Sequence, residues 1–411
     1  MTPRIALPAF QVPSGPSVVA ALYPGATNLA LDGTRSLSFD RAGRLIRAFW
    51  DGRSIRRSLD DRYVEKRKTG TYPWSSVRRE LDPAGRDALL MAIACEVSAI
   101  QRDLDRGPAI LPEEGRLELA ARLPDILRWT PHTLEADARR FRSIYLPVPI
   151  LPPDQYGALV VQVTEGCSYN QCTFCRLYRD RPFHVKSPGE LRVHVRGVRE
   201  FFGEGLRLRT GIFLADANAL VLPSARLLEV FSLLHEELPL GPGGLRGVCS
   251  FIDAFSGVPK SAEDLRGLAR QGLRRVYLGL ESGCDDLVQL LGKPATATEA
   301  LDLVARLREA GVHVGIIVLL GIGGDRYGER HLTESLAIVN AMRLGRQDLL
   351  YLSPLAADPD SVYRRREREA GIRPLTEAET DAQLAALEAG LRFDPRDRPK
   401  VALYDIRDFI Y

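Results

Sequence analysis

The amino-acid sequence predicts an α/β protein with an open, partial (β/α)6 barrel, an α+β region before it and a short extension after it. From Ala158 onward, apolar strand-like segments alternate with amphipathic helical segments, which is the pattern of βαβ units that build a parallel sheet. Six such units are too few to close an eight-stranded barrel. The predicted regions are 1–150 (α+β region), 151–355 (partial barrel) and 356–411 (C-terminal extension, with one helix around 377–390).

The amino-terminal region is predicted to begin with a small β meander. The segments SLSFD, RLIRAFW and SIRRSL within residues 36–58 have strand composition, and Asp51-Gly52 between the last two is a favoured hairpin turn. A proline-rich segment at 146–157 ends the region. Three helices are predicted between these two features: one with Asp82 as N-cap and Pro83 at its first position, one near 112–129 and one at 134–144.

Each element of the predicted barrel has its own signal. Ser187-Pro188 and Ser261 stand where N-caps are needed, so they are expected to open helices 187–203 and 261–271. Apolar runs bounded by turns mark the six strands, which are predicted at 158–164, 210–215, 246–252, 274–280, 313–320 and 348–354.

Charge and composition exclude several classes of protein. The 411 residues include 56 basic and 53 acidic side chains, so a net charge of +3 gives no global field that would attract nucleic acid or membrane. The longest apolar stretch, 314–322, is far shorter than the roughly 18 residues that indicate a membrane span. The first residues do not resemble a secretory signal, and a cytoplasmic location is expected.

Three of the six cysteines lie close together in TEGCSYNQCTFC, directly after the first predicted barrel strand. This clustering is typical of a metal site and not of a disulfide framework. Carboxyl ends of strands are where barrel enzymes build their active sites. The three thiolates, from Cys167, Cys172 and Cys175, can hold three irons of a cubane and leave the fourth iron open to a ligand.

This loop, including the aromatic Phe174, resembles the cluster motif of the radical S-adenosylmethionine (SAM) superfamily. It has four residues between its first two cysteines, whereas the commonest motif has three. The resemblance implies that the catalytic Cys167, Cys172 and Cys175 bind a [4Fe–4S] cluster next to SAM. A zinc site and a plant-type [2Fe–2S] ferredoxin, which shares the C-x4-C-x2-C spacing, are the alternatives. Both need a fourth ligand, such as Cys249 or His184.

Polar residues at the ends of the next two strands are candidates for SAM binding. The resemblance places Asp216 and Asn218 where the superfamily binds the amino group of SAM, although the usual glycines are absent. Ser250 is expected to reach the carboxylate or ribose. The alternative for Asp216 and Asn218 is a capped turn without ligand contact.

The fourth strand ends in Leu280-Glu281-Ser282-Gly283 and is followed by DDLVQLLGK, a stretch that resembles the coproporphyrinogen-oxidase and Elongator-like branch of the superfamily. By this resemblance Glu281 holds the ribose hydroxyls and Lys293 the methionine carboxylate. A helix cap and a solvated lysine are the alternatives.

The fifth strand runs into Gly321-Ile322-Gly323-Gly324, and Gly321 and Gly323 are expected to let adenine approach the backbone. Arg326 stands where a dinucleotide-binding fingerprint needs its third glycine, so that interpretation fails.

The resemblance implies an oxygen-sensitive enzyme that cleaves SAM reductively to a 5′-deoxyadenosyl radical, which abstracts hydrogen from an unidentified substrate. Flavodoxin or ferredoxin is the expected reductant. A small molecule, lipid or natural-product intermediate is favoured as substrate. A tRNA- or RNA-modifying enzyme and a non-catalytic iron–sulfur electron-transfer protein are the alternatives.

Five further features have both a functional and a structural interpretation. The arginine-rich stretch 52–70 is interpreted as a solvated face more readily than as a phosphate-binding site. His331 is expected either to contact substrate near the barrel rim or to be an ordinary residue of an N-terminal helix turn. Cys95 is expected in the core, and Cys249 and Cys284 are expected to be buried structural thiols.

Overall fold

The computed structural model describes residues 5–13, 15–106, 111–257 and 259–411. The chain forms two compact units. The amino-terminal unit comprises Met1–Pro147, Gly197–Arg209 and Ile410–Tyr411, and the barrel unit comprises Val148–Arg196 and Thr210–Phe409. The three sequence regions given above stay a prediction.

The amino-terminal unit is built on an antiparallel sheet of nine strands in the order β1-β3-β4-β5-β6-β7-β8-β9, with β2 paired to β3. The predicted Asp51-Gly52 turn joins β6 to β7, and both residues have positive φ, as this hairpin turn requires. The strands are β1 (Ile5–Ala6), β2 (Phe10–Gln11), β3 (Ser17–Leu22), β4 (Ala26–Leu31), β5 (Arg35–Asp40), β6 (Leu45–Trp50), β7 (Arg53–Arg57), β8 (Tyr63–Lys68) and β9 (Ser76–Glu80).

Three helices pack against one face of this sheet: α1 (Pro83–Asp105), α2 (Glu113–Leu127) and α3 (Pro131–Ile144). The predicted cap is confirmed, because the Asp82 side chain accepts a hydrogen bond from the Gly85 amide at 2.7 Å. Helix α3 begins earlier than predicted, since Thr130 forms a capping box with Thr133. The prediction for Cys95 was wrong: its side chain is exposed, and the buried stripe of α1 runs through leucine, isoleucine and valine side chains instead.

The barrel unit contains a seven-stranded parallel sheet in the order β10-β13-β14-β15-β16-β17-β18 and a small antiparallel pair, β11-β12. Within the described chain no strand pairing joins β10 to β18, so the barrel is open. The strands are β10 (Leu159–Gln162), β11 (Thr164–Glu165), β12 (His184–Val185), β13 (Ile212–Ala215), β14 (Val248–Ile252), β15 (Leu273–Glu281), β16 (His313–Leu320), β17 (Leu349–Pro354) and β18 (Lys400–Leu403).

Helices connect the parallel strands in the pattern that the sequence predicted. The caps at Ser187 and Ser261 are confirmed, since each side chain accepts the amide of the third residue after it. The helices are α4 (Pro188–Phe202), α5 (Ser224–Glu237), α6 (Ala262–Arg270), α7 (Asp285–Leu290), α8 (Ala297–Glu309), α9 (Gly324–Ala341), α10 (Val362–Glu369) and α11 (Glu377–Gly390). None of the helices in the described ranges is long and apolar enough to cross a membrane.

All six predicted barrel strands are present, and together they confirm an α/β fold with a partial barrel. The seventh strand, β18, was not predicted. It has four residues at the sheet edge, and both its first and last side chains are exposed, so it lacks the apolar run that marked the other strands. His331 lies within α9, fully buried, and not at its start.

Candidate active site

A cavity of about 380 Å³ lies at the carboxyl ends of the parallel strands and is lined entirely by residues of the barrel unit. Residues from the ends of β14, β15, β16 and β17 form part of its wall, together with the cysteine loop after β11. The wall includes six of the eleven candidate site residues: Cys167, Cys172, Phe174, Cys175, Glu281 and Lys293.

The cysteine loop provides three thiols and backbone donors directed at sulfur. The Asn170 amide donates to Cys167 Sγ at 3.2 Å, a contact of the kind that tunes cluster potentials. Burial raises the pKa of Cys172 to about 12 and also raises that of Cys175. At neutral pH these thiols are therefore protonated, and a bound metal would displace their protons.

The donor set fits a group held by three thiolates. The cavity wall contains no cysteine beyond these three and no histidine, and neither Cys249 nor His184 belongs to it. In the ranges that the structure describes, no three His, Cys, Asp or Glu side chains are grouped as a single metal ion would need. The residues present are thus compatible with an iron–sulfur cubane that keeps one open iron.

Asp216 lies behind the cysteine loop and connects its two ends. The side chain is 1% exposed and is absent from the cavity wall. Its Oδ2 accepts hydrogen bonds from the Gly166 amide at 2.9 Å and from Arg181 Nη1 at 3.3 Å, and its Oδ1 accepts from Gln162 Nε2 at 2.8 Å. Protein donors thus occupy both oxygens of Asp216 in this structure, and the predicted contact with the amino group of SAM stays a prediction. Burial raises the pKa of this carboxyl, and the hydrogen bonds to Gln162 and Gly166 oppose that shift.

Gly166 is needed where the loop begins. Its φ is +74°, in the left-handed region, and an added Cβ would lie 2.8 Å from the carbonyl oxygen of Pro182. A larger residue there would separate the start of the loop, just before Cys167, from the segment that follows it.

Asn218 and Ser250 also lie outside the cavity wall. Asn218 Nδ2 donates to Asp253 Oδ2 at 2.9 Å and to Ser256 Oγ at 3.3 Å, and Asp253 does line the cavity. The Ser250 hydroxyl is fully buried and donates to the Leu214 carbonyl at 2.9 Å. Both residues that were predicted to bind SAM therefore make protein contacts. Asn218 contacts the wall residue Asp253, and Ser250 contacts the neighbouring strand β13.

Glu281 and Lys293 form a buried ion pair in the cavity wall. Lys293 Nζ lies 2.9 Å from Glu281 Oε1 and also donates to the Gly279 carbonyl at 2.6 Å. Burial acts to lower the pKa of Lys293, but the interactions with Glu281, Cys172 and Asp253 together raise it above its ordinary value. The lysine is therefore a permanent cation beside Cys172.

Gly321 and Gly323 make backbone contacts away from the cavity wall. The Gly321 amide donates to Gln383 Oε1 at 2.8 Å, and the Gly323 amide donates to the Tyr363 hydroxyl at 2.8 Å. An added Cβ on Gly323 would lie 2.9 Å from Leu287. Gly323 thus allows close packing, whereas an added Cβ on Gly321 would lie 3.5 Å from its nearest neighbour, an ordinary contact. The adenine contact predicted for both glycines stays a prediction.

Aromatic and aliphatic residues that sequence reasoning missed make up most of the remaining wall. The Tyr169 hydroxyl donates to the Gly292 carbonyl at 2.5 Å, which connects the cysteine loop to the segment that carries Lys293. Only Tyr169, inside the motif, had a signal that could have identified it. The others come from strand interiors and loops without a motif: Tyr178, Phe251, Phe255, Tyr277, Leu319, Leu355 and Tyr404.

One segment of the chain matches a known protein family. Residues 161–337 match the family model described as the Radical SAM superfamily, and this segment contains the cysteine loop, the end of β10 and the whole of β13, β14, β15 and β16. This segment is therefore similar to the radical SAM superfamily, whose enzymes use a [4Fe–4S] cluster and SAM. No curated protein matches the chain.

Solved structures to which parts of this chain are similar include the following three. Coproporphyrinogen III oxidase from Escherichia coli is 15% identical, with a TM-score of 0.45, over 57% of this chain and 52% of that chain. The methyltransferase TsrM from Kitasatospora setae is 16% identical, with a TM-score of 0.41, over 61% and 55%. The archaeal Elp3 from Methanocaldococcus infernus is 11% identical, with a TM-score of 0.39, over 60% and 59%. The chain thus spans about half the length of the first of these structures.

Proposed function

We propose that this enzyme cleaves SAM reductively at a [4Fe–4S] cluster bound by Cys167, Cys172 and Cys175. One observation carries the proposal: the three cysteines line the same cavity as the buried Glu281–Lys293 pair, at the carboxyl ends of the barrel strands. The cluster and SAM, when bound, supply a 5′-deoxyadenosyl radical that abstracts hydrogen from the substrate.

The protein's own residues position the reactants. Lys293 is a buried cation suited to the carboxylate of SAM, and Glu281 is suited to accept hydrogen bonds from ribose hydroxyls. Phe174, between the second and third cysteines, adds an apolar surface beside them. The SAM contacts predicted for Asp216, Asn218, Ser250, Gly321 and Gly323 stay a prediction, and without SAM these residues make the protein contacts given above.

The cavity favours an uncharged, largely apolar substrate group. Its wall is mostly aromatic and aliphatic, and each of its two cations already lies beside a carboxylate: Arg176 is 2.8 Å from Asp358, and Lys293 is 2.9 Å from Glu281. With Lys293 assigned to the SAM carboxylate, Arg176 is the remaining cation of this wall, and its ion pair with Asp358 leaves little charge for a phosphate-rich group. A small molecule, lipid or natural-product intermediate fits this chemistry, and the electron comes from a reductant such as flavodoxin or ferredoxin.

The proposal is tested by replacing one cavity cysteine and one that lies elsewhere. Anaerobically reconstituted Cys172→Ala protein is expected to lose most of its bound iron and sulfide and to form no 5′-deoxyadenosine from SAM and dithionite. Cys249→Ala is the matched control, because burial raises the pKa of Cys249 to about 12 as well but this residue does not line the cavity. Equal loss in both variants, or full activity in both, would contradict the assignment.

A further inference from the structure

Three exposed arginines lie beside the cysteine loop, and we call them the loop arginines: Arg179, Arg365 and Arg366. Two of them contact the backbone around the loop directly. Arg179 Nη2 donates a hydrogen bond to the Cys172 carbonyl at 3.1 Å, and Arg366 Nη1 donates to the Leu290 carbonyl at 3.0 Å. The Leu290 carbonyl also accepts from the Thr173 hydroxyl at 3.2 Å. Two guanidinium groups therefore lie beside the backbone of Cys172, a partly exposed candidate cluster ligand, and its neighbour Thr173.

Packing fixes the position of Arg366 relative to the cysteines. The Thr173 amide donates to the Leu291 carbonyl at 2.8 Å, and the Thr173 carbonyl accepts from the Tyr363 amide at 3.1 Å. Arg366 follows Tyr363 by three residues on α10, which is about one helical turn. The end of α7 and the first turn of α10 thus hold the outer side of the loop, and α10 places Arg366 beside it.

The charge of the loop arginines is not neutralised by nearby carboxylates. We consider two segments, 166–181 with the cysteine loop and 358–370 with α10, both of which the structure describes. Their cations without an ion pair are four: Arg179, Arg365, Arg366 and Arg368. Their carboxylates without an ion pair are two: Asp360 and Glu369. The other charged residues of these segments pair with each other, as Arg176 does with Asp358. This surface therefore has an excess of positive charge.

We propose that the surface around the loop arginines docks an acidic electron-transfer protein. The inference rests on the proposed function, in which a reductant supplies the electron for SAM cleavage. Arginine is enriched at protein interfaces, and a cationic surface that faces an anionic partner raises the association rate and fixes its orientation. Complexes between electron-transfer proteins are typically small and weak, so a few charges suffice.

The position of this surface fits electron delivery. Arg179 contacts the backbone of Cys172 itself, so a protein docked on Arg179 has the proposed cluster site directly behind its interface. The reductant loses one electron and the cluster gains it, and no bond between the two proteins forms or breaks. The net charge of only +3 makes the attraction a local property of this surface.

The test measures binding of an acidic flavodoxin to the anaerobically reconstituted full-length protein by isothermal titration calorimetry at low and high salt. Arg179→Gln/Arg366→Gln is expected to raise the Kd about tenfold at low salt and to have less effect at high salt, where charges are screened. The rate of cluster reduction by reduced flavodoxin, followed by stopped-flow absorbance, should fall by a similar factor. Arg365→Gln should raise the Kd about threefold. The Arg365 side chain makes no hydrogen bond or ion pair among the described residues, so this variant removes no contact with the loop.

The matched control is Arg246→Gln/Arg274→Gln, at the amino ends of the parallel strands. These two arginines are also exposed, and Arg274 also donates to a backbone carbonyl, that of Arg246, at 3.0 Å. This variant should keep the flavodoxin Kd within twofold of that of the wild type. Reduced methyl viologen, a small cation, should reduce the cluster at the same rate in the wild type and in all variants, which shows that the loop is intact.

The outcomes separate the docking surface from the proposed function. Equal weakening in the two double variants, flavodoxin binding that salt does not change, or binding of single-stranded RNA in place of flavodoxin would each overturn the docking surface. A wild type that methyl viologen reduces but flavodoxin does not bind would overturn the docking surface alone. A wild type that holds no cluster for methyl viologen to reduce would overturn the proposed function and this inference together.

Discussion

The Asp216 carboxylate accepts a hydrogen bond from the Gly166 amide at 2.9 Å, although the two residues lie 50 positions apart in the chain. The same oxygen also accepts from Arg181 beyond the last cysteine of the loop. One buried carboxylate therefore connects the segments before Cys167 and after Cys175, and it acts as a positioning residue for the thiols between them.

Removing this carboxylate should loosen the loop. Asp216→Ala leaves the buried Gly166 amide and Gln162 amide without their partner, and each such loss costs about 1–3 kcal/mol. We expect faster amide hydrogen exchange over residues 166–176 and lower iron content after reconstitution. Ser250→Ala is the control, since it removes another fully buried hydrogen bond in the same sheet. Unchanged exchange and iron content in Asp216→Ala would show that the loop does not depend on this carboxylate.

Replacing Lys293 in the Glu281–Lys293 pair should weaken SAM binding without reducing cluster binding. Lys293→Met removes the cation proposed for the SAM carboxylate and leaves Glu281 as an unpaired buried charge, a change that costs about 3–5 kcal/mol. We expect SAM affinity, measured by equilibrium dialysis on the reconstituted protein, to fall at least about tenfold. Iron content should stay near that of the wild type, because Lys293 is not among the cluster ligands.

A second buried lysine provides the comparison for that experiment. Lys260 is as buried as Lys293, and its Nζ donates to the Leu220 carbonyl, but it does not line the cavity. Lys260→Met should reduce stability and leave SAM affinity unchanged. If the two variants weaken SAM binding equally, the effect is a general one of destabilisation and Lys293 has no direct role.

The buried His331 predicts a dependence of stability on pH. Burial lowers its pKa to about 4, below the ordinary value of 6.5, so the unfolded chain binds the proton more readily than the folded one. The contribution of His331 to the free energy of unfolding is therefore fully present above pH 6.5, and it is lost as the pH falls toward 4. Its contribution at pH 5 is about 2 kcal/mol lower than at pH 8. Urea unfolding of His331→Gln should show that much less loss between these pH values than the wild type does, whereas exposed His184→Gln should behave like the wild type.

Sequence reasoning could predict what depends on local pattern. Apolar runs and caps located the six barrel strands and the helices at 188–202 and 262–270, and the motif order placed the cysteines at the carboxyl ends of the strands. It could not predict which oxygen of Asp216 faces which donor, because Gly166 and Arg181 become neighbours only through tertiary packing. It also missed strand β18. The four residues of this strand lack an apolar run, and the strand forms through its pairing with β17.

The most direct test of the account is electron paramagnetic resonance of the anaerobically reconstituted, dithionite-reduced protein with and without SAM. The proposed function predicts a [4Fe–4S]⁺ signal that changes when SAM is added, together with 5′-deoxyadenosine in the same sample. A [2Fe–2S] signal, or a [4Fe–4S]⁺ signal that SAM leaves unchanged, would contradict the claim that Cys167, Cys172 and Cys175 hold a cluster with an open, SAM-binding iron.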